Sequence, residues 1–216
     1  MLAATAAIGA VFSATPAMAE QGDWLLRARA INVIPNESSG DILPAFPGEE
    51  VSVDNSIMPE VDITYMATDN IGFELIAAVT EHTASGISGT TGTLGPLAET
   101  WVLPPTLTAQ YHFAPEGKVR PYVGAGINYT IFFSEDASSA LEGAVGPTSV
   151  SLDDSFGYAL QAGVDIEVSE RVFLNLDIKY IDIDTTARFT TTAAGTQTVD
   201  ISLDPLVVGV GIGIKL

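Results

Sequence analysis

The chain has 216 residues, enough for one domain with a substantial core, and 27 acidic side chains stand against 8 basic ones, a formal charge of -19. Charge this negative excludes nucleic acid as a partner, because phosphate binding depends on Lys and Arg displacing counterions. Yet 47% of the residues are hydrophobic, and cysteine is absent, so no disulfide supports the fold and stability must come from a closed hydrogen-bond network or a large core.

Residues 1 to 19 read as a secretory signal peptide. Leu2 to Ala14 is apolar, Pro16 breaks the helix, and Ala17-Met18-Ala19 offers a small-x-small cleavage site before Glu20. The Lys or Arg that usually opens such a segment is absent, and the stretch is shorter than the ~20 residues a spanning helix needs. No later segment carries ~20 uninterrupted apolar residues, which excludes a transmembrane helix on length. The mature domain is then residues 20–216.

Period two dominates that domain. Trp24 to Val33, Glu60 to Thr68, Ile71 to His82 and Thr106 to Phe113 alternate weakly, the last of them after a Pro104-Pro105 pair. Arg120 to Phe133 is clearer: Pro121, Val123, Ala125, Ile127, Tyr129, Ile131 and Phe133 share one face, and Arg120, Tyr122, Gly124, Gly126, Asn128, Thr130 and Phe132 the other. Ser155 to Val168 sets Phe156, Tyr158, Leu160, Ala162, Val164 and Ile166 against Gly157, Gln161, Asp165 and Glu167. Val172 to Tyr180 sets Leu174, Leu176 and Ile178 against Phe173, Asn175, Asp177 and Lys179. Leu206 to Leu216 places Val208, Val210, Ile212 and Ile214 opposite Gly209, Gly211, Gly213 and Lys215.

The connections alternate in length. Asp69-Asn70, Ala114 to Lys118 and Ser169 to Arg171 are short turns, whereas Pro35 to Ser56, Thr83 to Glu99, Ser134 to Asp154 and Thr185 to Asp200 are long, polar and rich in Gly, Ser and Thr. Together these features predict an all-β fold: an eight-stranded antiparallel up-and-down transmembrane β-barrel with short periplasmic turns and long extracellular loops. Closure is required because lipid offers no hydrogen-bond partner to a sheet edge. Trp24, Tyr65, Tyr111, Phe113, Tyr129, Phe133, Phe156, Tyr158 and Tyr180 fall on the apolar faces, many near strand ends where interfacial girdles belong. A soluble lipocalin-type barrel would have to pack the whole apolar set inside an eight-strand lumen, which has little room.

With the apolar parity facing lipid, the opposite parity lines the lumen. Its lower and middle part collects Arg27, Arg29, Asp62, Glu74, Arg120, Asp165, Glu167, Asp177, Lys179 and Lys215, and opposite charges at that density should pair across the lumen as an ionic plug. Gly124, Gly126, Gly209, Gly211 and Gly213 share that parity and are expected to make room for long neighbouring side chains. Toward the outer end the lining turns apolar: Ile31, Val33, Met58, Val102 on the fourth strand, Phe132, Ile181, Ile183, Ile201 and Leu203. Two arrangements fit this change: a cup that accepts apolar solutes, or flared strand ends that turn these residues against the loop bases.

The chain is not expected to be an enzyme and calls for no cofactor or metal. His82 and His112 are the only histidines, and no nucleophile and base stand in a recognisable arrangement. Asp182, Asp184, Asp200 and Asp204 could meet a divalent cation, but no ligand spacing is imposed, and a solvated acidic rim is the simpler reading.

The stretches "GDWLLRARAINVIP" from Gly22, "LPPTLTAQYHF" from Leu103, "VRPYVGAGINYTIFF" from Val119, "SFGYALQAGVDIEVSERVFLNLDIKYIDIDT" from Ser155 and "LDPLVVGVGIGIKL" from Leu203 resemble the OmpW family of small outer-membrane proteins. The resemblance implies a cell-outer-membrane location and a narrow apolar passage that admits small hydrophobic molecules and releases them sideways. It also implies membrane lipid and the barrel-assembly machinery as partners, with phage or toxin recognition at the loops. Leu216 departs from the family habit of ending in Phe. Two functions follow as expectations: passive uptake of small hydrophobic molecules, or a structural or adhesive role carried by the extracellular loops.

Overall fold

A computed structural model describes residues 20–216; the segment read as a signal peptide, 1–19, lies outside the described residues. In chain order the chain forms β1 (Trp24–Ile34), β2 (Ser38–Ser39), β3 (Val51–Val53), β4 (Ser56–Met66), β5 (Ile71–Ala78) and β6 (Thr80–Gly86). A short helix α1 (Gly89–Leu94) precedes β7 (Pro96–Leu103), β8 (Thr106–His112) and the long β9 (Val119–Ala137). Then come α2 (Ser139–Val145), β10 (Thr148–Leu152), β11 (Ser155–Glu167), β12 (Val172–Ile181), β13 (Asp184–Thr191), β14 (Gly195–Ser202) and β15 (Leu206–Lys215).

Eight of these strands close a ring. The order β11-β12-β15-β1-β4-β5-β8-β9 is completed by an antiparallel β9–β11 ladder running from Ser155↔Thr130 to Ile166↔Val119. The ring leaves no spanning edge, as a hydrocarbon surround demands. β1 and β4 have 11 residues and β12 and β15 have 10, the length of a tilted bilayer-spanning strand.

Side-chain alternation decides which solvent each face meets. In β15, Leu206, Val208, Val210, Ile212 and Ile214 are exposed, while Val207 is buried between them; in β11, Phe156, Tyr158 and Leu160 are exposed and Ala159 and Gln161 buried. The inward face is the polar one, an inversion of the soluble pattern that stabilises a protein only when its outer surroundings are apolar. Aromatics gather at both ends of the band. Trp24 stacks near Tyr65 at 4.9 Å and Tyr111 near Phe113 at 5.2 Å at the turn end, while Tyr129, Phe156 and Tyr158 stand exposed toward the loop end.

The interior is crowded enough that some inward positions must be glycine. A Cβ on Gly213 would overlap the Phe173 ring and one on Gly163 the Tyr122 ring, so both large side chains lie flat across the adjacent strand. Not every glycine serves this way. A Cβ on Gly126 would strike the Leu107 carbonyl and one on Gly211 the Ala28 carbonyl, so there the neighbouring strand's backbone itself comes close.

Three expectations about strand boundaries change. The second spanning strand begins at Ser56, not Glu60; Pro59 lies inside it, one residue beyond the last β4–β5 pair, Glu60↔Ala78, so its missing N–H takes nothing from that ladder. Ile71 to His82 is two strands with a break at Val79. Val102 belongs to β7 and not to the strand that follows Pro104 and Pro105.

The four long connections, read as polar extracellular loops, carry structure of their own. β6 and β7 pair as a hairpin through α1, β3 joins β6, and β10-β13-β14-β2 form a second sheet above the ring. Their inward residues Ile42, Val51, Leu97, Leu141, Phe189, Val199 and Ile201 pack as one apolar cluster. The first connection is fastened to the second by Glu49, whose carboxylate accepts the Thr90 and Thr91 N–H groups at 2.8 Å each and the Thr91 hydroxyl at 2.7 Å. The Thr91 hydroxyl, with the two amides, holds the Glu49 carboxyl below its usual range. A lowered value means that the fastening is complete above the ordinary glutamate range and is lost as pH falls through the lowered value. Glu49→Ala is therefore expected to speed limited proteolysis between β6 and β7 at neutral pH, whereas the unaltered chain loosens there only in acid; equal cleavage rates at neutral pH would contradict the fastening.

Candidate functional site

Eight of the ten residues expected in the ionic plug are buried in the lumen: Arg27, Arg29, Asp62, Glu74, Arg120, Asp165, Asp177 and Lys179. Glu167 and Lys215 are only half-buried, and Lys215 pairs with Asp23 at the turn end at 2.8 Å. Arg27 is the hub. Its Nη1 lies 3.0 Å from Asp62 and 3.3 Å from Glu74, and its Nη2 2.9 Å from Asp165. Its guanidinium also sits 5.5 Å from the Tyr122 and Phe173 ring centres, so its faces are covered as well as its edges. Arg29 reaches Glu60 at 2.7 Å, Asp62 at 2.9 Å and Glu74 at 3.1 Å, and Lys179 reaches Glu60 and Asp177 at 2.8 Å each. Arg120 lies toward the turn end, paired in the ladder with Asp165 and 3.9 Å from Glu167.

These charges come from β1, β4, β5, β9, β11 and β12, so the network ties the ring together across its diameter. Neutral side chains complete it: Gln161 donates to Glu74 and Asp177 at 2.8 Å, Asn175 donates to Asp165 at 2.7 Å, and the Tyr122 hydroxyl donates to Asp177 at 2.8 Å. Glu60, Gln161 and the Tyr122 hydroxyl were not anticipated as members. Glu60 stood at the supposed strand start, while Gln161 and Tyr122 carried the correct inward parity and could have been found by it. His112 is wholly buried, its Nε2 3.2 Å from the Gln110 side-chain oxygen, within the same lower lumen.

Above the charges lies an apolar cavity. Ile31, Val33, Val102, Phe132, Ile181, Ile183, Ile201 and Leu203 line it. Met58 does not; it pairs with Ile31 in the β1–β4 ladder, is half-buried and lies outside the lining. Sequence reading missed the upper wall, where Val51, Val53, Ala98, Val150, Ala187, Phe189 and Val199 come from the long connections. Their signal was present as two-residue alternation, such as Val51-x-Val53 and Ala187-x-Phe189, diluted by the surrounding Ser, Thr and Gly. The two alternatives raised by the sequence thus coincide in part: the strand ends do pack against loop bases, and a space remains between them.

His82 stands on the cavity wall, its Nδ1 3.0 Å from the Asp54 carbonyl and its Nε2 3.2 Å from the Thr80 hydroxyl. At the outer rim, Asp153 binds Arg188 through both carboxylate oxygens, a pairing that lowers the Asp153 carboxyl. Partial burial and the neighbouring Asp204 and Asp184 raise the Asp182 carboxyl. The Asp184 carboxylate accepts the Ser202 hydroxyl and that of Asp200 the Thr186 hydroxyl. Among the described residues no group of three or more His, Asp or Glu side chains is placed to hold a metal ion.

One wall of the ring is incomplete beside the cavity. The β5–β8 ladder ends at Ile76↔Thr106 and the β6–β7 ladder resumes in the same register at Thr80↔Val102. Between them Ala77, Ala78 and Val79 lie opposite Leu103, Pro104 and Pro105 with no ladder pair across the gap; Pro104 has no N–H to give there, and the Pro105 carbonyl is turned to β9, where it accepts the Tyr129 N–H at 3.1 Å.

The profile of the OmpW family matches residues 20–216. The chain belongs to that family. Outer membrane protein W of Vibrio cholerae is 38% identical over 212 residues, covering 97% of this chain and 96% of that protein. The crystal structure of the outer membrane protein OprG from Pseudomonas aeruginosa superposes with a TM-score of 0.87 at 34% identity, covering 93% of this chain and 99% of that one. A protein of Pseudomonas aeruginosa named Dibenzothiophene metabolism operon protein PahQ is 29% identical over 205 residues, covering 93% of this chain and 92% of its own. This OmpW-family barrel is an outer-membrane protein, and its lipid-facing surface is the apolar band described above.

Proposed function

We propose that this barrel is a passive, non-catalytic path by which small hydrophobic molecules enter the outer membrane. The observation that carries the reading is the change of lumen chemistry with depth: carbon-lined where Ile31, Ile183 and Leu203 face the cavity, and closed by paired charges where Arg27 and Arg29 begin. An apolar solute gains by leaving water for the cavity and loses on meeting the charges, which would have to surrender partners in a medium of low dielectric. The way out is therefore sideways, and the unpaired seam at Ala77–Val79 and Leu103–Pro105 lies beside the cavity, with Ala78 and Pro104 among its lining. The relative named for dibenzothiophene metabolism is consistent with an apolar solute.

Uptake into proteoliposomes tests the path. Ile183→Asp or Leu203→Asp, each placing a carboxylate in the cavity, is expected to reduce entry of an apolar solute at least tenfold without unfolding the barrel, by the cost of burying an unpaired charge. Pro104→Ala, which returns a backbone donor to the seam, is expected to slow release, whereas Pro105, whose carbonyl is turned to β9 and accepts the Tyr129 N–H at 3.1 Å, does not face the seam. Unchanged uptake in the Asp variants would reject the path and favour a surface role for the loops, in which case deleting Gly40 to Glu50 would abolish partner binding.

A further inference from the structure

The wall of the cavity is carbon, but its floor carries two ions, Glu60 and Lys179. Their side chains are only 2% and 1% exposed and they pair at 2.8 Å. Glu60 Oε1 accepts both from Lys179 at 2.8 Å and from Arg29 at 2.7 Å; neither bond uses Oε2. Lys179 gives one N–H to Glu60 and another to Asp177 Oδ1 at 2.8 Å, and an ammonium has three. A donor and an acceptor are thus left side by side at the bottom of an apolar shaft.

The other polar groups of the wall are already committed. Both His82 nitrogens are engaged, the Thr106 hydroxyl donates to the Pro104 carbonyl at 2.9 Å, and the Thr185 hydroxyl donates to the Asp153 carbonyl at 2.7 Å. The floor is also the level of the seam, because Glu60 pairs with Ala78. Electrostatics adds a sign: six carboxylates (Glu60, Asp62, Glu74, Asp165, Glu167, Asp177) meet four cations (Arg27, Arg29, Arg120, Lys179) in the lumen.

We infer that the cavity selects amphiphiles with a neutral hydroxyl head, seated head down on Glu60 and Lys179. The inference rests on the uptake reading above and adds the polar end of the solute to it. A hydroxyl accepts from Lys179 and donates to Glu60 Oε2 at once. An alkane leaves both groups unanswered. A carboxylate accepts from Lys179 but sets a second negative charge against Glu60, with Asp177 close behind.

The full barrel in phosphatidylcholine vesicles, loaded with the fluorescent apolar probe N-phenylnaphthylamine, allows the test. Octanol, octane and octanoate displace the probe in competition, at a pH where octanoate is ionised, with partition into protein-free vesicles subtracted. Octanol is expected to compete about tenfold better than octane, the effect of hydrogen bonds to charged groups, and better still than octanoate. Lys179→Met should erase the octanol advantage while leaving octane unchanged, and Glu60→Gln should narrow the gap between octanol and octanoate; displacement by octane reports that each variant retains its cavity. Octane and octanol competing equally in the unaltered barrel would overturn the floor assignment and leave the uptake reading standing. Failure of all three to displace the probe would overturn both.

Discussion

Arg27→Met is expected to destabilise the barrel by about 3–5 kcal/mol, the cost of breaking a buried ion network by removing one partner. The size follows from what is left behind. Asp62, Glu74 and Asp165 converge on this one guanidinium within 3.3 Å, and all four side chains are sealed from solvent. Without it, Arg29 remains beside Asp62 and Glu74, but the Arg27 pairing of Asp165 is gone. Three carboxylates then share too little positive charge in a narrow interior, and water must enter to solvate them. Urea unfolding in lipid vesicles measures the change, with Lys118→Met, at an exposed turn residue, as a control expected to shift stability by no more than about 0.5 kcal/mol. The double variant Arg27→Met with Asp165→Asn should recover part of the loss, because the charge stranded by the first change is removed by the second. Planar-bilayer recordings offer a second readout: the unaltered barrel should conduct ions poorly and the single variant should leak. A midpoint equal to that of the control would mean that the lumen charges are solvated and do not close the barrel.

The parts of this architecture that the sequence displays are those that depend on local periodicity alone. Side chains two apart in a strand share a face whatever the strand pairs with, so Val208, Val210, Ile212 and Ile214 announce a common surface without any knowledge of β1 or β12. The same rule placed Arg27, Asp165 and Lys179 inside. It could not say which cation meets which anion, because Arg27 and Asp165 are 138 residues apart and meet only when the ring closes. It also failed where the local cue conflicts with the global one. Pro59 inside β4 reads as a strand start, which hid Glu60 as a network member and cavity floor, although the ladder that Pro59 would break has already ended there. Met58 has inward parity but lies outside the cavity lining, since parity fixes a side of the wall and not what the side chain reaches. The second sheet was hidden by composition: Thr148–Leu152 and Asp184–Thr191 alternate, but their Thr and Ser content resembles that of a solvated loop.

Val210→Arg is expected to cost about 2–4 kcal/mol, the price of an arginine on the lipid face at the bilayer midplane. Val210 sits near the middle of β15, pairs with Ala30 on one side and Leu176 on the other, and is 56% exposed. In water an exposed valine of this kind would tolerate arginine with a change within about 0.5 kcal/mol. The penalty therefore reads the surroundings and not the protein's own packing. Depth supplies the internal check. Leu216→Arg, at the turn end of the same strand where the side chain is 62% exposed, should cost no more than about 1 kcal/mol, because the guanidinium reaches headgroups there. Reversible unfolding from vesicles, measured for both variants, gives the gradient directly. Equal and small costs at the two depths would place both residues in water and overturn the assignment of outward parity to lipid, and with it the inward placement of every charge in the plug.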